Sequence, residues 1–86
     1  MIGFVYILQD DLDKYYIGSC VDVQIRYKKH LSGAVHTTLR MKNPRVVLTQ
    51  EYPTIIDAKR VERKIKKLKR KDYIAKMIKD GFIKLK

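Results

Sequence analysis

Tyr6 and Tyr16 lie in two short apolar segments, Phe4-Val5-Tyr6-Ile7-Leu8 and Tyr15-Tyr16-Ile17-Gly18, ten residues apart. Arg26 and His30 follow with a spacing of four, and Glu62 stands much later, inside the most basic stretch of the chain. These types suit chemistry on an anionic substrate. A phenol or imidazole can move a proton, a guanidinium can hold an oxyanion, and a carboxylate in an electropositive surface can recruit Mg²⁺. Together the five residues form a candidate active site.

Each of them also has a plainer reading. A strand tyrosine commonly buries its ring in the core and keeps its hydroxyl satisfied. A helical histidine is commonly a surface residue. Glu62 is the only acid among nine basic residues from Lys59 to Lys71. It is therefore either a metal ligand or half of an ordinary i,i+4 salt bridge to Lys66, worth a few tenths of a kcal/mol on an exposed helix.

The elements that must position these residues follow from local pattern. Both tyrosine segments have strand composition, and the Asp-rich link Gln9 to Lys14 favours a turn, so the first eighteen residues read as a β-hairpin. Asp22 is an N-cap for a helix over 23–32, with Val23, Tyr27 and Leu31 recurring at spacing four and Gly33 as its stop. On that helix Arg26 and His30 project from one face. Residues 33–43 lack a sustained period and read as a surface loop that could touch a ligand. Arg45 to Tyr52 is β-rich and bounded by Pro44 and Pro53, the third strand. Thr54 and Asp57 resemble a capping box. Ala58, Val61, Ile65 and Leu68 then line one face of an amphipathic helix, with Glu62 beside the stripe. A third helix is expected over 70–79, with the tail 81–86 docking as a short extension. The expected fold class is α+β: a three-stranded antiparallel sheet flanked by three helices, in the order β-β-α-β-α-α.

Length, cysteine content and charge bound the rest. A chain of 86 residues is expected to form one domain, 1–86, with a modest core. Cys20 is the only cysteine, without a CxxC partner, and reads as a small buried filler. Neither a signal peptide nor a membrane span is evident, which makes the cytoplasm the default expectation. The net charge is +11 and lopsided: residues 1–43 carry six Lys/Arg and four acids, residues 44–86 fourteen and five. Such a field attracts polyanions, and nucleic acid is the common partner. An anionic membrane surface or an acidic protein would also fit the charge, but would leave Tyr6, Tyr16 and Arg26 unexplained.

Taken in order, Phe4-Val5-Tyr6, Tyr16-Ile17-Gly18, Asp22 to Arg26, His30-Leu31-Ser32-Gly33 and Ala58 to Glu62 leading into Ile65 to Leu68 resemble the GIY-YIG nuclease family, most closely its small free-standing members. The similarity runs from about residue 2 to residue 71. It implies an endonuclease that hydrolyses DNA phosphodiester bonds with Mg²⁺ or Mn²⁺. Tyr6 would be the general base or water-positioning group, Tyr16 a phosphate or water contact, Arg26 the clamp on the scissile phosphate, His30 a proton relay or phosphate donor, and Glu62 the metal ligand. His36 is assigned a substrate contact, and Arg63, Lys66, Lys67 and Arg70 the DNA backbone. Phe4 stands where the first motif usually begins with glycine. Family nucleases generally take specificity from appended domains, so a separate targeting protein could supply it here. The pathway, whether DNA repair, recombination or a mobile element, stays open. A module that binds nucleic acid without cutting is the alternative reading.

Overall fold

A computed structural model describes residues 2–32, 41–68 and 70–83. The expected loop contact His36 and the helix stop Gly33 lie outside the described residues, as does the end of the tail. The elements follow the anticipated order: β1 (Gly3–Gln9), β2 (Tyr15–Cys20), α1 (Val23–Leu31), β3 (Arg45–Tyr52), α2 (Ile55–Leu68) and α3 (Lys71–Asp80). The sheet is antiparallel with strand order β2-β1-β3.

β1 is central because it is the strand that can be buried on both faces. Val5, Tyr6, Ile7 and Leu8 are each at most 1% exposed, which matches an unbroken apolar run rather than an alternating one. The period of two divides that run. Val5 and Ile7 join Ile17 and Leu48 in the core closed by Ala58 and Ile65 of α2 and by Ile74 and Met77 of α3. Tyr6 and Leu8 point to the other face, where α1 lies. A register shift between Ile7 and Leu8 accommodates an extra residue in β3.

Local signals set the ends. Asp22 caps α1 by accepting from Ile25 N–H at 3.1 Å, and Thr54 Oγ1 accepts from Asp57 N–H at 3.1 Å. Gly81 closes α3 in the left-handed region at φ 81°. Gly3 lies so close to α2 that a Cβ there would fall 2.5 Å from Ile55 Cα. The hairpin link is held by Asp10, wholly buried, whose carboxylate accepts from the backbone N–H groups of Leu12, Lys14 and Lys42. Beyond α3, Gln50 of β3 accepts from Ile83 N–H at 2.6 Å and donates to Ile83 O at 3.4 Å.

Two expectations need correction. The stripe Val23, Tyr27, Leu31 is only in part the packed face of α1, because Leu31 is 55% exposed and the residue this helix buries is His30. The packed face runs through Val23, Arg26, Tyr27 and His30, with polar side chains at positions that an apolar pattern search passes over. Cys20 is half-buried and lines a cleft, so it is not a core filler.

Candidate active site

β1 delivers Tyr6 to the face of the sheet beneath α1, with only 1% of the residue exposed. Its phenol oxygen is held by two side chains of that helix. His30 Nε2 lies 2.8 Å from it, and Arg26 Nε donates to it across 3.3 Å. The four-residue spacing of Arg26 and His30 makes this two-point grip possible, as they rise from one face of α1. Tyr16 enters from β2, its ring centroid 6.1 Å from that of Tyr6 and 4.9 Å from that of His30. The three rings pack tilted or edge-on, a favourable arrangement for aromatic pairs.

Burial dominates the electrostatics. It drives the Tyr6 pKa far above the ordinary phenol value of 10.0, and the opposing hydrogen bond and charge of Arg26 do not offset it. Enclosure of the ring outweighs the pull of Arg26 towards the phenolate. The phenol is therefore protonated at neutral pH. Burial also lowers the His30 pKa, and the nearby charge of Arg26 lowers it further, so the imidazole is neutral at pH 7. With the ring proton on Nδ1, the phenol donates to Nε2 while its oxygen accepts from Arg26.

Glu62 joins this cluster at the β2 side. Ser19 donates to its Oε1 at 2.5 Å, and Lys66 Nζ donates to its Oε2 at 2.6 Å. Burial alone would raise the carboxyl pKa, but the hydrogen bonds from Lys66 and Ser19, with the charges of Lys66 and Lys59, hold it below the usual value. Lys66 Nζ also lies 5.9 Å from the Tyr16 ring centroid, so this ammonium links the carboxylate to Tyr16. The i,i+4 ion pair foreseen as the plain reading of Glu62 thus forms. It is nonetheless one of two hydrogen bonds on a largely covered carboxylate, 18% exposed.

No group of three or more metal-ligating side chains occurs among the described residues. Glu62 fits a hard divalent cation in the sparse mode, in which Mg²⁺ takes one carboxylate and otherwise keeps waters and substrate oxygens. It is ionised, and Lys66, with a half-exposed side chain, can yield Oε2.

The remaining assigned residues sit differently. Arg63 and Lys67 are exposed on α2. Arg70 is ion-paired with Asp72 at 2.7 Å and stacks on Tyr73 with its guanidinium 4.5 Å from the ring centroid, so its charge is engaged at the start of α3. Lys66 is ion-paired with Glu62 at 2.6 Å, its side chain half-exposed. His36 lies outside the described residues. Two partnerships escaped the sequence reading. Ser19 meets Glu62 across a separation of 43 residues, which no local pattern signals. Gly18 is the register partner of Tyr6, and a Cβ there would fall 2.5 Å from Tyr6 Cζ.

Comparison with known proteins adds three findings. A family model described as the GIY-YIG catalytic domain matches residues 2–77. The UPF0213 protein BH0048 of Halalkalibacterium halodurans is 38% identical over 72 residues, covering 83% of this chain and 77% of that protein. The solution NMR structure of UPF0213 protein BH0048 from Bacillus halodurans superposes with a TM-score of 0.59 at 33% identity, covering 94% of this chain and 87% of that one.

Proposed function

The chain belongs to the GIY-YIG family, and from that membership we propose that it is a divalent-metal-dependent endonuclease that hydrolyses DNA phosphodiester bonds. The observation that carries this reading is the grip of Arg26 and His30 on the Tyr6 phenol. A core tyrosine needs one partner for its hydroxyl; here a guanidinium and an imidazole from one helix face converge on it.

Hydrolysis requires that a water lose a proton as it attacks phosphorus, that the growing negative charge be stabilised, and that the leaving 3′ oxygen be neutralised. A protonated phenol is no base by itself. Tyr6 can accept the proton of the attacking water while passing its own to His30 Nε2, which its lowered pKa keeps vacant for one. Arg26 donates to the phosphate oxygens and, through Nε, keeps the phenol aimed. Tyr16 orients water or phosphate beside Tyr6. Glu62 would hold Mg²⁺ or Mn²⁺, which would supply positive charge for the leaving oxygen. Ser19 fixes the carboxylate. Lys66 neutralises the carboxylate.

The alternative, a basic module that binds without cutting, draws support from the engagement of both Glu62 oxygens. Incubating the protein with supercoiled plasmid, with and without Mg²⁺ or Mn²⁺, tests the choice. Metal-dependent nicking that is lost in Tyr6→Phe supports the enzyme; no nicking with either metal supports the binder. Among the described residues no helix is long and apolar enough to cross a membrane. We place the activity in the cytoplasm, with a separate protein supplying targeting.

A further inference from the structure

A cleft of about 340 Å³ opens between the first turns of α1 and α2, directly beside Arg26. Its walls carry two kinds of side chain. Val21, Ile25 and Ile55 supply apolar surface, and Arg26, Lys29 and Lys59 supply positive charge from two different helices. Val21 is 49% and Ile25 57% exposed, so neither is explained by the core. Lys29 and Lys59 form no ion pair among the described residues, unlike Lys66 and Arg70. The one acid of the cleft, Asp22, is occupied as the N-cap of α1. A cation-rimmed site with aliphatic walls matches one nucleotide unit: phosphates outside, sugar and base within.

We propose that this cleft seats the nucleotide next to the scissile phosphate, with Lys29 and Lys59 contacting flanking phosphates and Val21, Ile25 and Ile55 packing against sugar and base. The proposal rests on the nuclease reading for the meaning of "scissile", but not for the binding itself. It moves the DNA path from Arg63, Lys66, Lys67 and Arg70, to which the sequence assigned it, to the groove between α1 and α2. Arg26 belongs to both the cleft and the tyrosine cluster, so a strand lying in the groove brings a phosphate to the Tyr6 side of α1. Ser19, shared by the cleft and Glu62, marks the other wall.

The test is binding of a fluorescent oligothymidylate in EDTA, where nothing is cut, read by anisotropy across a salt series. Lys29→Glu with Lys59→Glu is compared with Lys76→Glu with Lys79→Glu, an equal charge change on exposed positions of α3. If the cleft holds the strand, the first pair flattens the log–log salt slope by about 1.4, two contacts at about 0.7 each, and weakens binding about 10-fold more than the second pair. Ile25→Asn should weaken binding roughly 5-fold with the slope unchanged, because it removes apolar contact and no charge. Equal losses in both lysine pairs, or an Ile25→Asn variant that binds as the parent does, would overturn the proposal. All these positions are exposed, and circular dichroism confirms that the variants fold. The outcomes separate the two readings. Plasmid nicking with indistinguishable lysine pairs removes the cleft alone, whereas selective loss without any nicking keeps the cleft and removes the nuclease.

Discussion

Gly18 and Tyr6 face each other across the β1–β2 ladder, and the phenol occupies the space that a side chain on Gly18 would fill. The glycine is required here by the partner strand rather than by any backbone turn. A methyl group at 18 must push the Tyr6 ring off the position where Arg26 and His30 hold it. Gly18→Ala is therefore expected to cost about 1–3 kcal/mol in chemical denaturation, as overpacking of a tight site does. It should also lower nicking, because the phenol is displaced.

Tyr6→Phe keeps the ring and removes only the hydroxyl. Cleavage should fall about 10²-fold or more, the range of a general-base contribution, with the fold intact by circular dichroism. Arg26→Ala should lose activity to a similar degree through lost charge stabilisation. Parental rates in Tyr6→Phe would make the phenol structural.

The pH profile follows from His30. Its pKa is lowered by burial first and by Arg26 second, so the neutral ring that accepts the Tyr6 proton persists somewhat below the ordinary histidine range. Cleavage should show an acid limb below pH ~6.5, falling as the ring protonates. Stability has the same sign. A histidine with a depressed folded pKa binds protons more readily when unfolded, so this contribution is full above the unfolded pKa of ~6.5 and is lost as pH falls towards the folded value. His30→Gln should flatten both curves. An acid limb that persists unchanged in that variant would exclude His30 as its source.

Glu62→Gln preserves size and one of the two acceptor oxygens while removing the charge that a hard cation needs. Metal-dependent nicking should disappear, and metal-free DNA affinity should rise slightly because a negative charge leaves a +11 surface. A carboxylate that served only its ion pair with Lys66 would leave nicking intact. Plasmid nicking and metal-free anisotropy on the same sample decide between them.

Asp10 gives an acid-stability prediction separate from the site. Burial acts to raise its pKa, but the backbone donors of Lys14, Lys42 and Leu12 hold it below the ordinary value. Its stabilisation is present above the unfolded carboxyl pKa of about 3.9 and is lost as pH falls through the lower folded value. Asp10→Asn should reduce stability at neutral pH and remove part of that acid dependence, read by urea denaturation at several pH values.

Much of this was legible in the residues. All six elements lie within a residue or two of where pattern and caps place them, because Asp22, Pro44, Pro53, Thr54 and Gly81 punctuate the chain with local chemistry. Arg26 and His30 could be assigned to one face from their spacing alone. The partnerships that complete the site were not legible, since they are long-range: Ser19 with Glu62, Gly18 with Tyr6. The stripe on α1 misled for a related reason. Periodicity assumes that the buried face is apolar, and here it carries a histidine and an arginine whose partners lie on β1. Arg70 read as a phosphate contact because sequence shows charge but not its neighbours, here Asp72 and Tyr73.

The Gln50 to Ile83 contact reaches beyond the shared family segment. A glutamine amide reproduces, with one donor and one acceptor, the paired bonds that a neighbouring strand would give, and so fastens the chain after α3 to the outer strand of the sheet. Ile83, 6% exposed, completes the core there. The family model ends at residue 77, and the fold continues past that boundary. A boundary drawn at residue 77 would remove this fastening, leaving the Gln50 amide without its backbone partner and the core that Ile83 covers open to water.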